Sequence, residues 1–208
     1  MEIKYYGANC LRLADKKVSI TINDEFKKHG LKGVTKSNDI CIFTDTGNKE
    51  YAGRFIINGP GEYEISGVSV KGIAAKSMIN KDDTSVVIYR IEYNGSILGV
   101  IGNIYPELND DQLESLGIVD VLFIPVGGNG YTVDAHGAVQ LIKLIEPKIV
   151  IPTHYQESGV KYEVPQAELD VFLKELGVTE HTTQDSLKLK DIDLTGSARL
   201  VVLKRAIS

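Results

Sequence analysis

The chain has 208 residues, of which 43% are apolar and 25% are charged. This composition is typical of a globular protein with a sizeable core and argues against disordered or fibrous architectures. The formal net charge of −5 disfavours general binding to the phosphate backbone of nucleic acids, which usually requires a basic field.

Strand patterns dominate the first half of the chain, where short runs of β-branched and aromatic residues alternate with turn residues. The predicted strands are Glu2–Tyr6, Cys10–Leu13, Val18–Ile22, Asp39–Thr44, Arg54–Asn58, Val68–Ile73, Ser85–Tyr93 and Ile97–Ile101. Asn94-Gly95, between the last two, predicts a tight hairpin. We therefore expect a β-meander in this half.

Helical and strand patterns alternate in the second half. The predicted elements are a helix at Asp110–Leu116, a strand at Val119–Ile124, a helix at Asp134–Ile145, a strand at Lys148–Ile151, a helix at Pro165–Leu176 and a strand at Arg199–Leu203. A β-rich half followed by alternating strands and helices predicts an α/β fold with sheets between helices. No linker or low-complexity tract interrupts the pattern, so we expect one domain over residues 1–208.

Targeting and redox signals are weak. No apolar run approaches the roughly 20 residues that a membrane helix needs, and the first residues, Met1–Tyr6, do not form an export signal. We therefore expect a cytoplasmic protein without a membrane partner. Cys10 and Cys41 are the only cysteines and lie far apart, which argues against a disulfide framework and against a cysteine-based zinc site.

The four histidines lack the close spacing of a metal-binding pair. We expect His29 near a helix C-terminus, and His136 and His181 on the surface. His154 differs, because it follows a buried strand, and α/β folds place their sites at the carboxyl ends of such strands. From the residues alone, a structural role and a functional role for His154 are equally consistent.

Several segments, in order, carry a resemblance to a known family: Tyr5–Cys10, Asn58–Val68, Val119–Gly128, Tyr131–Ala135 and Glu146–Tyr155. Together they resemble the small metallo-β-lactamase-fold hydrolases of the ascorbate-6-phosphate-lactonase-like branch. The resemblance covers nearly the whole chain and implies a four-layer αββα sandwich. It also implies a dinuclear zinc site that activates a hydroxide for hydrolysis.

The site implied by the resemblance is depleted of ligands. The family's HxHxDH loop corresponds to Thr44–Glu50, which contains no histidine and has Lys49 at the aspartate position. A later histidine position falls on Ser77 or, one residue off, on Lys76. Asn103 stands where the bridging aspartate is expected, and only His154 is retained.

Loss of the ligands favours a non-catalytic binding or interaction module without a cofactor. We expect the vacated cleft to take a small anionic ligand or a protein partner, and we expect no nucleic acid. Two lysines and the N–H groups of the turn over 127–130 are the expected anion donors. The candidate cleft residues are Asp45, Lys49, Glu50, Lys76, Ser77, Asn103, Gly127 and Gly128.

The alternative is a metal-dependent hydrolase of a small phosphorylated, lactone or ester substrate. His154 would then act as a general base, or would hold one weakly bound divalent cation (Zn, Mn or Mg) together with Asp45 and Glu50. A nuclease of the same superfamily is a weaker interpretation because the chain is acidic. Exposed sheet edges leave a homo-oligomer open.

Overall fold

A computed structural model of the chain describes residues 1–46, 53–80, 82–179, 181–191 and 198–207. Fourteen strands in these ranges form two sheets. The six-stranded sheet has the order β13-β1-β2-β3-β4-β5, with β1 Glu2–Gly7, β2 Cys10–Ala14, β3 Ser19–Ile22, β4 Ile40–Ile42, β5 Phe55–Ile57 and β13 Leu187–Lys188.

The eight-stranded sheet has the order β12-β14-β11-β10-β9-β8-β7-β6. Its members are β6 Gly61–Ile65, β7 Val68–Ala75, β8 Val86–Tyr93, β9 Ser96–Val100, β10 Val121–Pro125, β11 Ile149–Thr153, β12 Thr182–Gln184 and β14 Arg199–Leu203. Strands β9, β10, β11, β14 and β12 run parallel to one another. Both faces of β10 and β11 are buried, as is usual for parallel strands that are covered on each side.

The predicted meander is correct for only part of the first half. Strands β6 to β9 pair antiparallel in sequence order, and Tyr93 pairs with Ser96 around Asn94-Gly95, so the hairpin prediction is confirmed. Strands β3, β4 and β5 instead run parallel to one another. Parallel neighbours need a crossover connection, and the long segments between these strands supply it.

Three α-helices are described: α1 Asp110–Leu116, α2 Ala135–Ile145 and α3 Leu169–Leu176. Asp134 caps α2 by accepting a hydrogen bond from the Gly137 N–H, as its sequence position predicts. Helix α3 begins at Leu169 rather than at Pro165, because Gln166 and Ala167 bond back to the loop that follows β11. Within the described ranges, no helix is long and apolar enough to span a membrane.

One apolar core joins the inward faces of the two sheets and the buried side of α2. This arrangement is the αββα sandwich of the metallo-β-lactamase type, so the predicted fold is confirmed. The fold brings the carboxyl ends of strands from both sheets to the same edge of the sandwich.

Candidate functional site

A cavity of about 290 Å³ opens at this edge. Its volume lies at the small end of the usual range for ligand pockets, about 300–1,000 Å³. The lining residues follow the carboxyl ends of β1, β3, β4, β7, β9 and β11, which is where α/β sheets commonly hold ligands. They are mostly polar: Asn9, Asn23, Glu25, Lys28, His29, Thr44, Asp45, Ser77, Asn80, Asp83, Ser85, Asn103, Tyr131, His154 and Glu163, with Ile79 and Val86.

His154 lies in this cavity directly after β11 and is only 2% exposed. Its backbone φ is +51°, and its N–H donates to the Ala8 carbonyl at 2.7 Å, which ties it to the loop after β1. A histidine at positive φ is uncommon, so the surrounding contacts hold this backbone conformation. The structure therefore places His154 where the sequence predicts it, at the carboxyl end of a buried strand.

Hydrogen bonds define which nitrogen of His154 carries the proton. Gln166 donates its Nε2 to the Val164 carbonyl at 2.8 Å, so its Oε1 accepts from the His154 Nδ1 at 3.2 Å. The neutral ring therefore has its lone pair on Nε2. Burial, together with a smaller contribution from the nearby His29, lowers the pKa of His154 from 6.5 to about 4. His154 is thus a neutral imidazole at neutral pH.

His29 is the residue that the sequence interpretation misplaced. It lies in the turn-rich segment after β3 rather than at a helix end, is 7% exposed and lines the cavity. Its Nδ1 is 2.8 Å from the Lys161 carbonyl, and its ring centroid is 6.1 Å from that of His154. No local spacing signals this pair, because tertiary packing alone brings the two rings together.

Lys28, Tyr131 and Glu163 form a polar cluster beside the two histidines. Lys28 Nζ lies 2.9 Å from Glu163 Oε1 and 2.7 Å from the Tyr131 hydroxyl. Although partial burial opposes it, these hydrogen bonds raise the pKa of Lys28, and the same lysine lowers the pKa of Glu163. The Tyr131 ring stacks on His154, with centroids 5.9 Å apart and an interplanar angle of 26°.

Neutral amides and the Thr44 hydroxyl also line the cavity. Thr153 donates its hydroxyl to Asn9 Oδ1 at 2.9 Å, and Asn9 Nδ2 donates to Asn103 Oδ1 at 3.1 Å. Thr44 is bonded through its N–H to Asn23 Oδ1 at 2.8 Å. These bonds fix the amides in the cavity wall, and Asn103 Oδ1 already accepts one donor.

The structure brings together some of the predicted cleft residues. Asp45, Ser77, Asn103 and His154 line the cavity. At the ambiguous histidine position the inward residue is Ser77, which is buried, because the alternation of β7 continues past its end and turns Lys76 outward.

Other predicted residues lie elsewhere. Lys76 is exposed and is not part of the lining, and neither Gly127 nor Gly128 lines the cavity. The Gly128 N–H is bonded to the Val133 carbonyl at 3.1 Å, so this turn does not offer that group to an anion. Lys49 and Glu50 lie outside the described residues.

Gly127 has a packing role instead. A Cβ at this position would lie 2.1 Å from the His154 carbonyl oxygen and 2.3 Å from Gln166 Oε1. Only glycine allows this approach. The absence of a side chain at 127 therefore lets Gln166 reach His154.

Residues 2–154 match the sequence model of the β-lactamase superfamily domain. The chain belongs to the β-lactamase superfamily. The matched region spans the strands that build the cavity and ends at His154 itself.

Relatives in this superfamily share moderate identity with the chain. A UPF0173 metal-dependent hydrolase of Thermoplasma volcanium is 30% identical over 114 residues, which are 50% of this chain and 47% of that protein. The chain thus spans about half the length of the first curated relatives that it matches. A UPF0173 protein of Pyrococcus abyssi is 26% identical over 207 residues, 85% of this chain and 96% of that protein.

Solved structures of the superfamily have the same fold. A Thermotoga maritima protein assigned to the zinc-dependent hydrolases of the metallo-β-lactamase superfamily has a TM-score of 0.75 and 23% identity, over 98% of both chains. Igni18, a metallo hydrolase from Ignicoccus hospitalis, has a TM-score of 0.59 and 18% identity, over 85% of this chain and 90% of its own. At these identities the similarity concerns the fold.

The superfamily resemblance implies a dinuclear zinc centre, which we tested against the donors in the cavity. Within the described ranges, no three histidine, cysteine, aspartate or glutamate side chains are grouped so that they could hold a metal ion. Ser77 and Asn103 supply a hydroxyl and a neutral amide where a histidine and an aspartate are expected. Because zinc sites usually need about three or four protein ligands per metal, the donor set of the described residues does not fit such a centre.

Proposed function

We propose that this chain is a binding protein built on the hydrolase scaffold, whose cavity holds a small polar molecule without a dinuclear zinc centre. The donor set carries the proposal. His154 is retained from the ligands that the resemblance implies, whereas the described positions 77 and 103 hold serine and asparagine.

Hydrogen bonding of Asn103 supports the proposal further. The Oδ1 that would replace a bridging carboxylate accepts the Asn9 amide at 3.1 Å and carries no charge. A dication at this oxygen would compete with a positively polarised N–H group. The arrangement instead suits a neutral wall of amides that contacts a ligand.

Zinc titration tests this proposal. Chelator-treated protein is titrated with Zn²⁺ in a calorimeter, next to the His154→Asn variant, since asparagine tolerates positive φ. We expect no stoichiometric zinc binding with a Kd below about 1 μM, and no loss of two zinc sites when the variant is compared with the unmutated chain. Uptake of about two zinc ions per chain, lost in the variant, would refute the binding function.

The retained His154 supports a second candidate, a metal-dependent hydrolase of a small phosphorylated, lactone or ester substrate. Its Nδ1 is held by Gln166, and among the described residues no hydrogen bond to its Nε2 competes with ligating a metal or accepting a proton, as in histidine sites with an outer hydrogen-bond partner. Relatives are named metal-dependent hydrolases. This candidate predicts turnover of a phosphodiester or lactone panel with added Zn²⁺, Mn²⁺ or Mg²⁺, abolished by His154→Asn.

A further inference from the structure

The segment that connects β3 to β4 closes on itself beside the cavity. Over residues 24–35 it contains neither helix nor strand. Oδ2 of Asp24 closes the neck, because it accepts the N–H groups of Val34 and Thr35 at 2.8 Å each and the Thr35 hydroxyl at 2.6 Å. Residues 24–35 therefore form an Ω-loop, a class of loop that is frequently functional.

Backbone hydrogen bonds within the Ω-loop make it a unit that can move as one body. The Lys28 N–H donates to the Glu25 carbonyl at 2.9 Å. The Leu31 N–H donates to the Phe26 carbonyl at 2.8 Å. Phe26 is only 2% exposed, but it is not part of the apolar core that joins the two sheets. Segments with few contacts to the core are the ones that open locally, without unfolding of the whole chain.

A polar latch joins the Ω-loop to Tyr131 and to the loop that follows β11. Lys28 Nζ lies 2.9 Å from Glu163 Oε1 and donates to the Tyr131 hydroxyl at 2.7 Å. The next residue, His29, donates its Nδ1 to the Lys161 carbonyl at 2.8 Å and accepts the Lys161 N–H at 3.1 Å. The side chains of Lys28 and Glu163 are 38% and 52% exposed, so water competes for their ion pair. Such a latch can break and re-form while the sheets stay folded.

Open volume lies on two sides of the Ω-loop. Its residues Glu25, Lys28 and His29 line the cavity. A second pocket, of about 310 Å³, is lined by four other residues of the same loop: Phe26, Gly30, Leu31 and Lys32. A segment between two open volumes can be displaced without first displacing closely packed side chains.

The neck of the Ω-loop keeps an unused hydrogen-bond acceptor. Asp24 is 3% exposed, and its Oδ1 is buried without a hydrogen-bond partner in the described part of the chain. A buried carboxylate oxygen without a partner is unfavourable, so the closed position does not fully satisfy the neck. A displaced loop that brings a donor to this oxygen recovers part of that cost. This observation is independent of the latch, which lies at the other end of the loop.

Closure of the Ω-loop helps to bury His154, which is only 2% exposed. Three rings lie around it, with centroids at 6.1 Å for His29, 5.9 Å for Tyr131 and 5.2 Å for Tyr162. His29 belongs to the Ω-loop, and Tyr131 accepts the latch hydrogen bond from Lys28. Opening of the loop therefore removes one of these rings from His154 and releases a second.

We propose that the Ω-loop is a lid over the cavity, which exchanges between the closed position of the structure and an open position that exposes His154. The latch around Lys28 sets the balance between the two. Loops with this role control the entry of ligands and the exclusion of water. The lid goes beyond the proposed binding function, since its opening exposes His154 whether or not a ligand is bound.

Chemical modification of His154 tests the lid. Diethylpyrocarbonate acylates unprotonated imidazoles, and His154 is neutral at pH 7 because its pKa is about 4. Peptide mass spectrometry under single-hit conditions compares its modification with that of the exposed His181. Lys28→Met should raise the ratio about fivefold or more, because it removes the ion pair and a hydrogen bond of the latch.

Lys27→Met is the matched control, since Lys27 is an exposed lysine of the same loop and is not part of the latch. It should leave the ratio of His154 to His181 modification unchanged. The same ratio in Lys28→Met and Lys27→Met would overturn the lid.

Hydrogen exchange of the unmutated chain in low urea separates lid opening from unfolding. The Lys161 N–H donates to the Ω-loop, whereas the Ile101 N–H donates to the Phe123 carbonyl at 2.9 Å in the core. Relative to their intrinsic rates, we expect Lys161 to exchange about tenfold or more faster than Ile101. Urea below the unfolding transition should accelerate only Ile101, because lid opening exposes little new surface.

Equal rates and equal urea dependence at Lys161 and Ile101 would overturn the lid, since the latch would then break only when the whole chain unfolds. That result leaves the proposed binding function intact, because the zinc titration tests the donors of the cavity and not the position of the loop.

Discussion

The buried His154 makes a specific prediction about the pH dependence of stability. Its pKa falls from 6.5 to about 4 in the folded chain because the ring is buried. Below pH 6.5 the unfolded chain therefore binds a proton that the folded chain does not. This contribution to stability is present above pH 6.5 and is lost as the pH falls towards 4.

The magnitude follows from the size of the shift. The difference between a pKa of 6.5 and one of about 4 corresponds to about 3 kcal/mol of unfolding free energy, of which about 2 kcal/mol is lost between pH 7 and pH 5. Replacing the imidazole by a side chain that does not titrate between pH 7 and pH 5 removes this contribution to the unfolding free energy. His154→Asn should therefore lose about 2 kcal/mol less than the unmutated chain over the same interval.

Urea unfolding at pH 7 and pH 5 measures the difference. The carboxylates are common to both proteins, so their contributions cancel in the comparison. His181→Asn is the control, since His181 is exposed, and it should follow the unmutated chain. Equal losses in His154→Asn and the unmutated chain would refute the argument that a buried, neutral imidazole lies at this position.

Two further predictions concern packing and ion pairing. Gly127→Ala should lower the unfolding free energy by about 2–4 kcal/mol and displace His154, because the new Cβ has no room beside the His154 carbonyl. The control Gly59→Ala should cost less than about 1 kcal/mol, because the nearest atom to its new Cβ is 4.0 Å away. Urea unfolding midpoints compare the two variants. Asp39→Asn should cost about 3 kcal/mol in the same assay, since Asp39 is fully buried and accepts two hydrogen bonds from Arg12, whose charge would be left unpaired. A cost below about 1 kcal/mol in either buried variant would contradict the packing or the pairing described above.

Local patterns were enough to predict much of the fold. The Asn94-Gly95 turn fixes its hairpin because both residues adopt positive φ, at +50° and +76°. The run Ile149–Ile151 is buried on both faces, so its apolar composition predicts a covered parallel strand and places His154 at the strand end. The turn and the buried strand depend on residues that are adjacent in sequence, so both can be predicted without knowledge of the tertiary structure.

The features that the sequence analysis did not predict depend on contacts between residues that are far apart in the chain. His29 reaches the cavity through a bond to Lys161, which lies 132 residues away, and no periodicity in its own loop signals that burial. The parallel pairing of β3, β4 and β5 depends on crossover segments that carry no strand pattern. The choice between Lys76 and Ser77 likewise required the inward and outward alternation that continues from β7.

Metal content of the purified, untagged chain is the most direct test of the central claim, which is that this superfamily member lacks a dinuclear zinc centre. Plasma mass spectrometry after dialysis without chelator measures zinc, manganese and iron per chain. The account predicts well under about one metal ion per chain. About two tightly held zinc ions per chain would contradict it and restore the hydrolase function.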